Sequence, residues 1–353
     1  MDVQKILWSN SPTPISLFSS MEESCENVDL QVVFIHTRTF PPLHLILNYS
    51  RTKSMLEQTD VWMLHDTTFR FWKLFQKQIT FQRTQEEDEL EASYKYPKSF
   101  RNNFWFSSLV RFSLLARFMS SHDAPTVHVE SDVILAEDFP IGEFLKITTP
   151  FAYPIVSDER GIASTIFIRD KKSAEFLWQY SRKVVQRNPL ASDMEILFDL
   201  WTKHPNMVTK LPIAPHHLYK APRDQEKSSF TGYFDGHDFG VYIGGTNPWN
   251  KRGVSEIRSS IEGSHLAFDH NLIFYDKNRK FISIRRPNRF DSDSLYSLHV
   301  TNKNPMFFTK RALPPVLRIW LLLYVRTNRT FHPIVFVIMI FKAIKRRLFN
   351  LAP

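Results

Sequence analysis

Short apolar runs alternate along the chain with longer stretches in which apolar positions recur every three or four residues. "LQVVFIHT" (30–37), "VWMLHD" (61–66), "TVHVESDVIL" (126–135), "FAYPIV" and "ASTIFIR" are rich in β-branched and aromatic residues and predict strands. Between them lie helical patterns. One is "LHLILNYSRTKSMLEQ" after Pro41-Pro42. Another is "NNFWFSSLVRFSLLARFMSS", in which Phe106, Leu109, Val110, Leu114 and Phe118 share a face. A third runs from Asp170 as N-cap to about Asn188, with Ala174, Leu177, Trp178, Val184 and Val185 on its apolar side and Pro189 closing it. "EEDELEASYKYPKS" reads as a polar interval. Strands alternating with helices predict an α/β fold with a mostly parallel central sheet, covered on both faces. Ligands of such sheets bind beyond the carboxyl ends of the strands.

Composition sharpens this picture. The 353 residues are 43% apolar and 14% aromatic, with 31 Phe against 9 Gly, which suits a packed core and excludes global disorder. One large domain is expected over 30–310, after an N-terminal extension (1–29) and before a C-terminal segment (311–353). Cys25 is the only cysteine, which excludes an internal disulfide and a cysteine zinc cluster. The first twenty residues lack the charged start and unbroken apolar stretch of a secretory signal, so a cytoplasmic location is expected. On that expectation the glycosylation tripeptides Asn48-Tyr49-Ser50 and Asn328-Arg329-Thr330 are coincidental. A formal net charge of +9 favours anionic partners. Without zinc-finger spacing or an RNA-recognition signature, nucleic acid is not expected among them.

The chemistry concentrates in "TVHVESDVILAEDFP" (126–140), where His128, Glu130 and Asp132 alternate through a run that otherwise reads as buried strand. Two carboxylates at such a position need a cation or a set of donors. Glu86-Glu87-Asp88 in a charge run and Asp291-Ser292-Asp293 in an expected loop show how common such tripeptides are. Two explanations of Glu130-Ser131-Asp132 stay open at this level. Asp132 caps a strand-end turn, or the pair holds a hard divalent cation, Mn²⁺ or Mg²⁺, that in turn holds a diphosphate.

The segment "RNNFWFSSLVRFSLLARFMSSHDAPTVHVESDVIL" resembles the part of GT-A type glycosyltransferases in which an Arg- and aromatic-bearing helix precedes a strand ending in the DXD motif, with Glu130 in place of the first Asp. The order of elements agrees over roughly 30–305. The resemblance implies a metal-dependent transfer of a sugar from a nucleotide-diphosphate donor to a hydroxyl of a glycan or glycolipid acceptor. It makes Asp132 the direct metal ligand and Glu130 a support to the metal or ribose. Thr37 and Asp66, at the ends of "VVFIHT" and "VWMLHD", are placed beside the nucleotide base. In "SLYSLHVTNKNPMFF" (294–308), His299 becomes a third ligand and Lys303 a diphosphate contact.

Two further acids are candidates for a general base should the enzyme invert the anomeric centre. Asp193 opens "ASDMEILFDLW", where Ser192 and Glu195 form a capping box that explains the segment without chemistry. Asp235 lies in "FDGHDFGVYIGGTNPWNKRG", a Gly- and Asp-rich stretch suited to close approach of backbone to a sugar, or to ordinary turns. The tail "PPVLRIWLLLYVRTNRTFHPIVFVIMIFKAIKRRLF" has two apolar blocks interrupted and followed by basic residues. Neither block alone reaches the ~20 residues of a spanning helix, so the segment suits peripheral attachment to an anionic membrane or packing against the domain. A nucleotidyltransferase and a non-catalytic, membrane-docking basic protein are the alternative functions.

Overall fold

The computed structural model describes residues 30–37, 41–66, 75–98, 103–157, 160–213, 230–236, 273–275, 282–285 and 292–300. Lys303, residues 237–253 of the Gly-rich stretch, Asn328, the extension 1–29 and the segment 311–353 lie outside them. Among the described residues, no helix is long and apolar enough to cross a membrane.

In chain order the elements are β1 (Gln31–His36), α1 (Leu43–Met55), β2 (Asp60–Asp66), β3 (Gln78–Phe81), α2 (Gln85–Ser93), α3 (Phe104–Ser121), β4 (Thr126–Val129), β5 (Val133–Leu135), α4 (Ile141–Leu145) and β6 (Phe151–Ser157). They continue with β7 (Arg160–Gly161), β8 (Thr165–Ile168), α5 (Lys171–Arg187), α6 (Asp193–Lys203), β9 (Val208–Leu211), β10 (Tyr233–Phe234), β11 (Ile273–Tyr275), β12 (Ile282–Arg285) and β13 (Ser292–His299). The main sheet has the order β3-β2-β1-β4-β8-β6-β7, with β9 also paired to β6. Its first four strands run parallel, β8 is antiparallel to both neighbours, and β6 and β9 are again parallel. The expected α/β architecture with a mostly parallel central sheet is thus what forms. A smaller sheet, β10-β13-β12-β11, takes β5 against β13.

The strands are apolar throughout because both faces are covered. Val33 and Leu64 point into a core built with α3, α5 and α6, while Val32, Phe34, Val61 and Met63 point to the opposite side with Leu45 and Tyr49 of α1. α3 is buried nearly all round, beyond the single face that the periodicity predicts: Phe112, Leu115, Ala116 and Met119 are as enclosed as Phe106 and Leu109. Asn103 starts it at φ 64°, a left-handed conformation that Asn tolerates better than most residues. α5 and α6 begin where the sequence indicates. Asp170 accepts from the Ser173 N–H, and Ser192 and Glu195 close a capping box.

Three local expectations are corrected. The polar interval "EEDELEASYKYPKS" (86–99) carries all but the first residue of α2, which Thr84 and Glu87 start with a capping box. Buried Glu87 also accepts from Ser113 Oγ at 2.6 Å and pairs with Arg117 Nη1 at 3.3 Å, a charge balance that no periodicity shows. Ser292 and Asp293, expected in a loop, belong to β13 and pair with Arg285 and Ile284. "TVHVESDVIL" is not one strand. It breaks at Glu130–Asp132, with β4 in the main sheet and β5 in the smaller one.

Candidate functional site

The break in that run builds the site. β4 ends at Val129, opposite Phe34 of β1, and the chain then turns. The Glu130 N–H donates to Ser164 O (3.1 Å) and the Val133 N–H donates back to Glu130 O (3.0 Å). The turn throws Glu130 and Asp132 beyond the carboxyl ends of the parallel strands, where switch-point ligands bind. β5 then pairs antiparallel to β13 with Val133 opposite His299, and the Val300 N–H donates to Asp132 O at 2.7 Å. Residues far apart in sequence are locked side by side by backbone pairing.

Ligand atoms of Glu130, Asp132 and His299 all lie within 4.8 Å of one another. His299 Nε2 is 3.5 Å from Asp132 Oδ1 and 3.6 Å from Glu130 Oε2. Burial alone would lower the His299 pKa, but the negative charge of Asp132, Glu130 and Asp235 outweighs it and raises the pKa to about 9. The space between these side chains therefore favours positive charge. Two carboxylates and one imidazole also form a donor set that hard divalent cations accept, so the residues fit Mn²⁺ or Mg²⁺.

Behind the cluster stands Arg111, buried on α3. Its Nη1 donates to Glu130 Oε1 at 2.5 Å, its Nη2 lies 3.1 Å from Asp193 Oδ2, and its Nε donates to Ser108 O at 2.7 Å. Burial works against the guanidinium charge, yet Glu130 and Asp193 overcome that and raise its pKa. Burial would likewise raise the Glu130 pKa, but Arg111 and His299 hold it below the ordinary value. For buried Asp193 the balance reverses. Desolvation exceeds the help of Arg111, and the pKa rises. Glu130 is thus divided, with one oxygen on Arg111 and the other facing His299.

Asp235 follows β10 and is 0% exposed. Its Oδ2 accepts the His299 backbone N–H at 2.9 Å, and its own N–H donates to Ser297 O at 3.1 Å. The next residue, Gly236, leaves no room for a side chain, since a Cβ there would meet Val156 Cγ1 at 2.2 Å. Gly236→Ala is expected to cost about 1–3 kcal/mol, read as a lowered melting temperature, and Val156→Ala in the same chain should recover part of it.

The structure thus brings together Glu130, Asp132, His299, Asp193 and Asp235. Thr37, one residue past β1, and Asp66, the last of β2, lie on the same carboxyl edge of the sheet, both half-buried. Lys303 lies outside the described residues. His128, which alternates with the two acids, is instead a neutral buried residue. Its Nδ1 is 3.1 Å from Val33 O, and burial, reinforced by Arg111, lowers its pKa to about 3. Arg111 has no individual role legible in the sequence, although a lone Arg inside "SSLVRFSLLA" is a visible signal. The Asn48 amide is also engaged. The residue is buried, with Nδ2 donating to Ser131 O and Val133 O, so its tripeptide is no acceptor in the folded chain.

No protein-family model and no curated protein matches this chain. Solved structures with a similar fold include apo mouse xyloside xylosyltransferase 1, at 8% identity over 52% of this chain and 85% of that one, with a TM-score of 0.36. The galactosyltransferase LgtC, crystallised with donor and acceptor sugar analogs, is 11% identical over 56% of this chain and 80% of that one, with a TM-score of 0.41. A glycosyltransferase involved in glycosylation of the major capsid of PBCV-1 is 7% identical over 52% and 81%, with a TM-score of 0.31. Likenesses this distant carry no weight on activity, which has to be read from the site.

Proposed function

We propose that this chain is a metal-dependent glycosyltransferase of the GT-A type, transferring a sugar from a nucleotide-diphosphate donor to a hydroxyl of a glycan or glycolipid acceptor. The observation that carries this reading is the Glu130–Asp132–His299 cluster, set at the carboxyl edge of parallel strands and electrostatically tuned for a cation. Asp132 and His299 would hold Mn²⁺ or Mg²⁺, with Glu130 contributing the oxygen that Arg111 leaves unengaged. A divalent cation held there supplies charge neutralisation for the departing diphosphate.

The chain's own residues do the rest. Thr37 and Asp66 border the nucleoside at the ends of β1 and β2, and Lys303 contacts the diphosphate. The acceptor oxygen attacks the anomeric carbon as the bond from that carbon to the phosphate oxygen breaks. In an inverting reaction Asp193, whose pKa burial raises above the ordinary carboxylate value against the pull of Arg111, is the candidate proton acceptor. Asp235 is enclosed and already occupied by the His299 N–H, so it serves by fixing the His299 backbone. The basic, apolar tail would bring the enzyme to an anionic membrane carrying its acceptor. The nucleotidyltransferase alternative needs a glycine-rich loop after β1, and residues 35–50 contain no glycine.

The test is a screen of nucleotide-diphosphate sugars with Mn²⁺ or Mg²⁺, read as thermal stabilisation and release of free nucleotide. One donor should respond, lose its effect with EDTA, and fail with Asp132→Ala. A response that ignores metal, or an Asp132→Ala variant that behaves like the parent, would overturn the proposal.

A further inference from the structure

We infer that Asn48, backed by Arg51, is a positioning residue that sets the spacing of the Asp132–His299 pair from outside the site. The inference rests on the cation-binding reading of that pair. β5 is only three residues long, and one of its edges is used by β13. Bonds on that side involve the even positions, with Asp132 O accepting from the Val300 N–H and the Ala136 N–H donating to Tyr296 O. The carbonyls of 131, 133 and 135 therefore point the other way, where the described residues supply no strand. A short strand with a bare edge would be free to slip or twist.

α1 supplies the missing edge with side chains. The two donors of the Asn48 amide go to Ser131 O (3.2 Å) and Val133 O (2.6 Å), and Arg51 Nη1 donates to Leu135 O. Asn48 and Arg51 stand three apart on one helical face, as this spacing requires. Asn48 is 0% exposed and its hydrogen bonds reach none of the three candidate side chains; it straddles Asp132 by holding the carbonyls on either side. Its grip on Val133 also bears on His299, because Val133 is the residue opposite His299 in the ladder. One amide on α1 thereby fixes the backbone of one ligand and the strand partner of another.

Outer contacts of this kind typically change metal affinity by ~10–100-fold when removed. The experiment counts free Mn²⁺ by room-temperature EPR during titration of the full chain, with Mn²⁺ alone and no nucleotide. Asp132→Ala marks the uptake that belongs to the site. Asn48→Leu, with the same branched outline but without the amide, is expected to raise the Mn²⁺ dissociation constant by about 10–100-fold. Leu45→Ala, one turn earlier on α1, removes buried apolar volume and leaves both Asn48 bonds in place. It should lower the melting temperature at least as much as Asn48→Leu and leave Mn²⁺ affinity unchanged. Asn48→Ser, too short to reach both carbonyls, gives the same reading if the leucine variant does not fold. Unchanged affinity in the Asn48 variants, or an equal loss in Leu45→Ala, overturns the inference while the cation site stands. A parent chain with no Mn²⁺ uptake sensitive to Asp132→Ala overturns the site and this inference together.

Discussion

Replacing Arg111 with methionine is expected to lower the free energy of unfolding by about 3–5 kcal/mol, measured by urea denaturation. The guanidinium is enclosed by α3, β4's carboxyl end and α6, and it answers three acceptors: Ser108 O, Glu130 and Asp193. Methionine fills much of the same volume, so the loss isolates charge from packing. What remains is buried Asp193 beside half-buried Glu130, with no partner of opposite sign on that side, and an unpaired buried charge costs more than a paired one gains. Arg111→Lys should recover only part, because a single ammonium cannot reproduce the fork that bridges Glu130 and Asp193. Arg111→Met combined with Asp193→Asn should cost less than the sum of the two single changes, since the second removes a charge that the first left stranded. A loss below about 1 kcal/mol in the single variant would mean that water or another group already serves those carboxylates.

The elements that were legible in the sequence are those fixed by local rules. The Asp170 cap, the Ser192/Glu195 box and the runs of β1, β2, β6 and β8 are set by residues within one turn or one strand, and they formed where expected. α2 was equally local, with Thr84 and Glu87 at capping-box spacing. Only Glu87 and Leu90 of that helix are buried, so it offers no apolar stripe to read. The break after Val129 was not legible, because apolar residues flank it on both sides. What turns the chain there is tertiary: Ser164 O receives one N–H, and β13 claims the strand beyond. The acids of the site could be picked out as misplaced charges in apolar runs. Their proximity to His299 depends on the β5–β13 ladder, which no spacing within either segment encodes. Arg111 and Asn48 are harder still, since their value lies in which carbonyls and carboxylates they meet.

The abundance of phenylalanine gives the last expected result. Phe144→Ala should cost about 3–5 kcal/mol of stability. Phe144 on α4 is fully buried and meets four other rings. It stacks on Phe139 (centroids 5.4 Å apart, 25° between planes), tilts against Phe167 of β8 (5.8 Å), and presents edges to Phe230 (5.1 Å) and Phe234 of β10 (5.8 Å). This ring cluster bolts the main sheet to the smaller one, and Phe234 is followed directly by Asp235, whose carboxylate holds the His299 backbone. Removing the central ring leaves a cavity that its rigid aromatic neighbours can close only by moving β10. The loss should therefore show twice, as a lowered urea midpoint and as weaker Mn²⁺ uptake at temperatures where the variant is still folded. Phe144→Leu, which keeps most of the apolar volume, should cost less and leave uptake near that of the parent. If Phe144→Ala lost stability without any change in uptake, the cluster would be packing alone, and the placement of His299 would be secured by the β5–β13 ladder without it.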